Sequence, residues 1–476
     1  MTEMGRSYST ITAPPKVHPA QVAVVGAGPA GFYCAARLLR HHPSVQIAIF
    51  DALPAAYGLS RYGVAPDHPE VKNCERKFEE VSRDPRVRLF LNTPLGLGPG
   101  KVDLEALKCH FDSTILAYGA SRDRTLGIPG EDLGNVLGAR AFVGWYNGAP
   151  AHRDLPVDLT STDTAVVIGQ GNVALDVARV LLSPIDALRH TDITEMALEA
   201  LSKSRIRHVH VVGRRDPQHV AFTTKELREL IGLKDVDFYL DPHGIVQEAL
   251  EDPQVQGKRA LKRLLGLLNK ASPSSTPANL TGKSWTLRFL ASPQAFIGAD
   301  APSRSDMVSE VKFGVNRMEG DRAVATGESM SLATGLVVRS IGYKSVAIPG
   351  VPFDEGRSIV PNSEGRIVPG LYVAGWLKRG PTGTIATTLM DANETADAVL
   401  EDLAQASAVT GSSPPLAPKR NGNIEEVLRN NKVDWVGKEG WERIEVEERR
   451  VGESKSKERE KITDPSMMVR ISKEES

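Results

Sequence analysis

The chain has 476 residues, 41% of them hydrophobic and 25% charged, with 58 Lys and Arg against 59 Asp and Glu and a formal net charge of -1. That length suits two or three domains with sizeable cores, and the charge balance leaves any electrostatic docking to local patches. The three cysteines, Cys34, Cys74 and Cys109, form no CxxC pair, which argues against a disulfide framework, a zinc ribbon or a redox dithiol and fits a reducing compartment.

Residues 1–19 carry Arg6, Lys16 and a Ser/Thr/Tyr cluster, the composition of either a presequence remnant or a disordered leader. No stretch approaches the roughly 18 uncharged apolar residues that span a bilayer. Residues 21–25 read as a buried parallel strand, 30–41 as a helix and 45–50 as a second strand closed by Asp51, together a βαβ unit. A Gly/Pro/His-rich loop is expected over 55–72, a helix over 73–82, a strand over 114–117 and a turn at a domain crossing over 126–131. A second βαβ unit follows, with strands at 164–168 and 207–212, a helix at 173–183 and a helical insert at 184–206. Residues 271–279 read as a surface loop, 335–341 and 371–374 as short strands, 384–404 as a helix and 405–422 as a linker. The charge-dense stretch 442–461 reads as a solvated helix or tail without chemistry.

Three motifs carry chemistry. Gly26-Ala27-Gly28-Pro29-Ala30-Gly31 follows a strand, opens a helix and has an acid 20 residues after Gly31, at Asp51. In that context it is a dinucleotide fingerprint. Gly26 permits the tight turn, Gly28 lets the backbone approach a pyrophosphate, Gly31 lets helix and strand pack, and Asp51 can accept ribose hydroxyls. Gly169-Gln170-Gly171-Asn172-Val173-Ala174 repeats the pattern with the accepted Ala variant. The strand after it ends not in an acid but in Gly213-Arg214-Arg215, and two arginines can clamp a 2′-phosphate, which favours NADP over NAD. The segment Gly375 to Ile385 places Trp376 among glycines between a strand and a helix, which suits either a flat ring and phosphate or a core tryptophan with a helix cap.

With these strings in hand the chain resembles the adrenodoxin-reductase type of ferredoxin–NADP reductases. The resemblance rests on Val25 to Tyr33, Tyr62 to Lys72, Ala141 to Asn147, Gly169 to Arg179, Val212 to Arg215, Ala221 to Arg228, Ser340 to Lys344 and the 375–385 segment, and it runs from about residue 20 to 404. It implies an α/β fold of two Rossmann-like dinucleotide-binding domains, glutathione-reductase-like, with the NADP domain (121–335) inserted in an FAD domain (20–120 and 336–476). It implies FAD contacts at Ala30, Asp51, Leu59, Leu95, Trp376, Gly383, Thr384 and Ile385 beside the glycine turn. It implies NADP contacts at Gln170, Gly171, Asn172, Val173, Arg214, Arg215, Glu226 and Gly383. His68 and Asp176 match positions near the flavin and are candidates for a proton relay.

No metal site is implied. The implied reaction is hydride transfer from NADPH to FAD, then single electrons to a [2Fe-2S] ferredoxin. The implied setting is a monomer in the mitochondrial matrix, with peripheral contact to the inner membrane left open. A flavin monooxygenase or another FAD/NADPH oxidoreductase is the alternative for the same turns, and a non-catalytic redox sensor that merely keeps nucleotides is another.

Two departures stand out: Asp51 where the family often has glutamate, and Asp216 where glycine is usual. An acidic ferredoxin requires a basic face. Lys203 to Lys270 holds thirteen Lys and Arg against nine Asp and Glu, and Arg228, Lys262 and Arg263 match the family's docking positions.

Overall fold

The computed structural model describes residues 19–273, 281–300, 306–410 and 423–474. The leader and most of the expected 271–279 loop and 405–422 linker lie outside the described residues. The rest divides into two compact units. The first comprises the chain up to Leu53, Phe78–Tyr118 and Ala347–Lys438; the second comprises Pro54–Lys77, Gly119–Val346 and Glu439 onward.

The first unit is built on a six-stranded sheet in the spatial order Arg366–Val368, Leu371–Val373, Ser113–Leu116, Gln21–Val25, Gln46–Phe50, Val87–Phe90. All neighbours are parallel except the first pair. The near-continuous Val/Ile runs explain this, because strands buried on both faces need apolar side chains on both. Helices Pro29–His41 and Ile385–Thr410 lie together on this sheet, tied by Arg37 to Asp397 (2.8 Å) and Cys34 Sγ to the Ala392 carbonyl (3.3 Å).

The second unit repeats the plan with an all-parallel sheet in the order Val136–Gly138, Leu336–Arg339, Thr164–Ile168, His208–Val212, Lys283–Arg288, Val236–Asp241. In each sheet the strand before the glycine turn has its successor on one side and a later strand on the other. That makes its carboxyl end a topological switch point, where open α/β sheets bind ligands. The strands and helices expected for both βαβ units appear within one residue of their expected bounds.

Some expectations change. The 55–72 loop contains a short helix, Leu59–Tyr62, and a 3₁₀ turn begins at Pro69. A three-stranded antiparallel sheet, Ala291–Gly298, Val308–Glu319 and Arg322–Ala333, had no counterpart in the sequence reading.

The charge-dense C-terminal stretch is not a solvated tail. Helix Lys438–Glu453 buries Trp441, Ile444 and Glu448, and Lys457 and Lys461 beyond it are buried as well. Their charges are paired internally. Arg61 meets both oxygens of Glu448 at 2.5 and 2.6 Å and lies over the Trp441 ring. Asp192 is held by Lys72 at 2.6 Å and Lys461 at 2.7 Å. Burial pushes the Lys461 amine down to about 7, with Asp192 opposing the shift. These pairs are why the 54–77 and C-terminal segments group with the second unit.

Candidate functional site

The first glycine turn is shaped by contact. Gly26 has φ +119°, and a Cβ there would lie 2.4 Å from the Ala117 carbonyl oxygen; one at Gly31 would lie 2.0 Å from the Gly26 oxygen. At Gly28 a Cβ would meet nothing within 4 Å, so the backbone is open on the side a pyrophosphate would take. The helix begins at Pro29, where a missing N–H costs nothing, and the next amides are free to point at an anion. Asp51 Oδ2 accepts from the Ala27 amide (2.7 Å) and Oδ1 from Leu53 (2.9 Å), which fixes the turn to the strand end and still leaves the carboxylate acceptor capacity for a ribose hydroxyl. Burial pushes the Asp51 carboxyl up to about 6, against the lowering effect of these amides.

The third motif meets this turn. Gly375, at φ +73°, passes so near the helix start that a Cβ would lie 2.6 Å from that of Ala30. Its amide donates to buried Asp391, which also lies 3.3 Å from Lys378 Nζ. Trp376, half-buried, is thereby set beside the fingerprint. Gly383 (φ +81°), Thr384 and Ile385 form the start of the long helix, where the Thr384 amide is capped by Thr387 Oγ1 at 2.9 Å. Leu95 packs on the same core, bridged to Val102. Leu59 belongs to the second unit, as the first residue of its short helix. The geometry of the first unit therefore gathers most of the positions implied for FAD and fits a dinucleotide.

The second turn is a near copy. Gly169 has φ +127°, and its Cβ would lie 2.0 Å from the Ser340 carbonyl oxygen, while Gly171 is open. Gln170 donates to the Arg288 carbonyl (2.9 Å), and Asn172 Oδ1 accepts from the Thr223 amide (2.8 Å). The backbone after the next strand is pinned from the antiparallel sheet and from Leu290 just before it. Asn316 donates to the Arg214 carbonyl at 2.9 Å, and the Leu290 amide to that of Arg215 at 3.2 Å. Arg214 is exposed, Arg215 half-buried, and among the described residues neither guanidinium has a partner. Asp216 turns instead to His219, at 2.5 Å. Glu226 is bonded by the Thr223 hydroxyl in the first turn of helix Thr224–Ile231. Val173, half-buried, follows Asn172 at the helix start. Gly383, implied for NADP too, lies in the first unit.

His68 and Asp176 sit in one buried ionic network, but each on a different partner. His68 Nε2 lies 2.7 Å from Glu229, and Asp176 lies 2.9 Å from Arg179 Nη1. Arg179 also forks onto Asp67 at 2.6 and 3.0 Å. Burial raises the Asp176 carboxyl, with Arg179 opposing the shift; at Asp67 the same guanidinium outweighs burial and lowers it. Asp67, Arg179 and Glu229 were not singled out from sequence. The only local signals were the helical spacings, three residues from Asp176 to Arg179 and three from Glu226 to Glu229. Arg228, Lys262 and Arg263 are all exposed, on helices Thr224–Ile231 and Arg259–Ala271.

Two switch-point turns, one closed by an acid and one by an arginine pair, define an oxidoreductase built for two dinucleotides. In agreement, residues 20–232 match the family model described as pyridine nucleotide-disulphide oxidoreductase. The chain is 43% identical to mitochondrial NADPH:adrenodoxin oxidoreductase of Bos taurus over 98% of its length and 94% of that protein. For the Homo sapiens protein of that name the figures are 44%, 95% and 91%. Among solved structures, Mycobacterium tuberculosis FprA in complex with NADPH superposes with a TM-score of 0.86 at 37% identity, covering 95% of this chain and 99% of that one. The chain belongs to the NADPH:adrenodoxin oxidoreductase family.

Proposed function

We propose that this protein is a mitochondrial FAD-dependent NADPH:ferredoxin oxidoreductase whose electron acceptor is an adrenodoxin-type [2Fe-2S] ferredoxin. The observation that carries the reading is the pair of matched turns with opposite strand ends, Asp51 in one and Arg214–Arg215 in the other. Bound FAD would supply hydride acceptance from NADPH and release of electrons one at a time, while the protein would hold and orient both rings. The first unit would hold FAD through Gly26, Gly28, Ala30, Gly31, Asp51, Leu95, Trp376 and Gly383 to Ile385, and Leu59 is proposed as a further FAD contact. The second unit would hold NADPH through Gln170 to Val173, Arg214, Arg215 and Glu226, and Gly383 is proposed as a further NADP contact. His68 and Asp176, set in the Arg179 network, are the candidates for a proton relay.

The partner is an acidic ferredoxin that docks on Arg228, Lys262 and Arg263, with long-range attraction steering the encounter. The enzyme works as a monomer in the matrix. No described helix is long and apolar enough to cross a membrane, and any inner-membrane contact is peripheral.

The reading is tested by cytochrome c reduction with NADPH, with and without a mitochondrial-type ferredoxin. Turnover should depend on the ferredoxin. NADPH oxidation that ignores the ferredoxin and instead consumes oxygen with a small substrate would favour the monooxygenase alternative. Arg228→Glu should raise the KM for ferredoxin roughly ten-fold while leaving ferricyanide reduction intact; equal loss of both activities would remove Arg228 from the docking face.

A further inference from the structure

The acid that follows the arginine pair is the least expected residue of the NADP site, and the structure shows what is done with it. Asp216 begins a single 3₁₀ turn, Pro217–His219, that brings the side chain of His219 back onto it. His219 Nδ1 lies 2.5 Å from Asp216 Oδ1, and its Nε2 lies 3.1 Å from Asp321 Oδ1. Each ring nitrogen thus faces a carboxylate oxygen, an acceptor to which an imidazole N–H donates, so the ring is held between the two acids. The pair is largely shielded, with side-chain exposures of 17% for His219 and 20% for Asp216, whereas Asp321 is fully in water.

Asp321 lies in the hairpin turn between strands Val308–Glu319 and Arg322–Ala333. The first of those strands carries Asn316, which pins the Arg214 carbonyl. One hairpin therefore fixes both the arginine backbone and the histidine. Left alone, a carboxylate adjacent in sequence to Arg215 would compete for the guanidinium groups and repel a 2′-phosphate.

We infer that His219 is a specificity-determining residue: it ties up the charge of Asp216, keeps Arg214 and Arg215 uncommitted, and so preserves the preference for a 2′-phosphorylated nucleotide. The inference rests on the proposed NADP site and deepens it. His219 acts through Asp216 and need not touch the nucleotide.

The test uses the flavin-loaded enzyme and calorimetric dissociation constants for two probes, 2′,5′-ADP and 5′-AMP. His219→Gln should weaken 2′,5′-ADP roughly three- to ten-fold, the effect of one unscreened like charge at a partly solvated site, and leave 5′-AMP unchanged. Adding Asp216→Asn to that variant should restore 2′,5′-ADP binding. The inference is overturned if His219→Gln leaves the ratio of the two constants at its wild-type value, or if the double variant stays as weak as the single one. Wild-type enzyme that does not prefer 2′,5′-ADP, or a preference untouched by Arg214→Ala, would overturn the NADP assignment itself, and the inference with it.

Discussion

The two glycine turns are nearly superimposable in their reasons. In each, the first glycine's amide is bonded to the end of the next strand, Gly26 to the Phe50 carbonyl at 2.7 Å and Gly169 to that of Val212 at 2.8 Å. In each, a Cβ on that glycine would strike a carbonyl of the strand on the other side, and the middle glycine is open. They differ in two places. The sixth position has no room for a methyl in the first turn, and holds buried Ala174 in the second. The strand end supplies a bonded carboxylate in one and uncommitted guanidinium groups in the other. The cradle is thus generic, and on the proposed reading the nucleotide is chosen some twenty to forty residues later in the chain.

The sharpest way to break this comparison is Gly31→Ala. The methyl would overlap the Gly26 carbonyl, so we expect overpacking of about 3 kcal/mol and loss of FAD from the purified protein, read as visible flavin absorbance. A yellow variant with normal absorbance would show that the first turn is as tolerant as the second. Next in size, replacing Arg214 and Arg215 with Ala should raise the KM for NADPH roughly 10- to 100-fold by removing charge-assisted hydrogen bonds, with NADH kinetics unchanged. A parallel loss with NADH would mean that the pair supports the fold rather than the phosphate.

Asp51 gives a pH signature that the second turn should lack. Its carboxyl is raised to about 6 in the folded protein. The stability it contributes is therefore present below its unfolded pKa of about 3.9 and is lost as pH rises through 6. Ribose hydroxyls bond the ionised form, so FAD affinity of the apoprotein should strengthen from pH 5 to 7, and this rise should vanish in Asp51→Asn. A persisting rise would assign the titration elsewhere. The smallest effect is expected of Ala174→Gly, a loss of about 1 kcal/mol of helix stability measured by denaturant unfolding, with NADPH binding retained.

Both turns were legible in the sequence because a run of Val, Ile and Ala ending in glycine has few readings, and Asp51 and Arg214 occupy equivalent strand ends. Trp376 was legible only as a choice between a cofactor wall and a core residue; the approach of Gly375 to Ala30 shows what sets it beside the fingerprint. The ionic network was not legible. Arg179 finds Asp67 across 112 positions and Arg61 finds Glu448 across 387, separations at which residue type carries no signal of contact. The antiparallel sheet was missed because its outer strand, Arg322–Ala333, is mostly exposed and lacks a clear apolar face. Dense charge at 442–461 suggested solvent exposure, because sequence alone does not distinguish a hydrated charge from one paired in the interior.

The pairing of Arg61 with Glu448 also dictates an order of events during synthesis. Arg61 leaves the ribosome 387 residues ahead of its counter-charge. Until then the second unit can assemble its parallel sheet but must leave that guanidinium hydrated, since a lone buried charge would cost about 3–5 kcal/mol. Completion of this unit is therefore withheld until Glu448 has been made, and a stop codon ahead of Lys438 should yield a chain that proteases clear rather than a shortened enzyme.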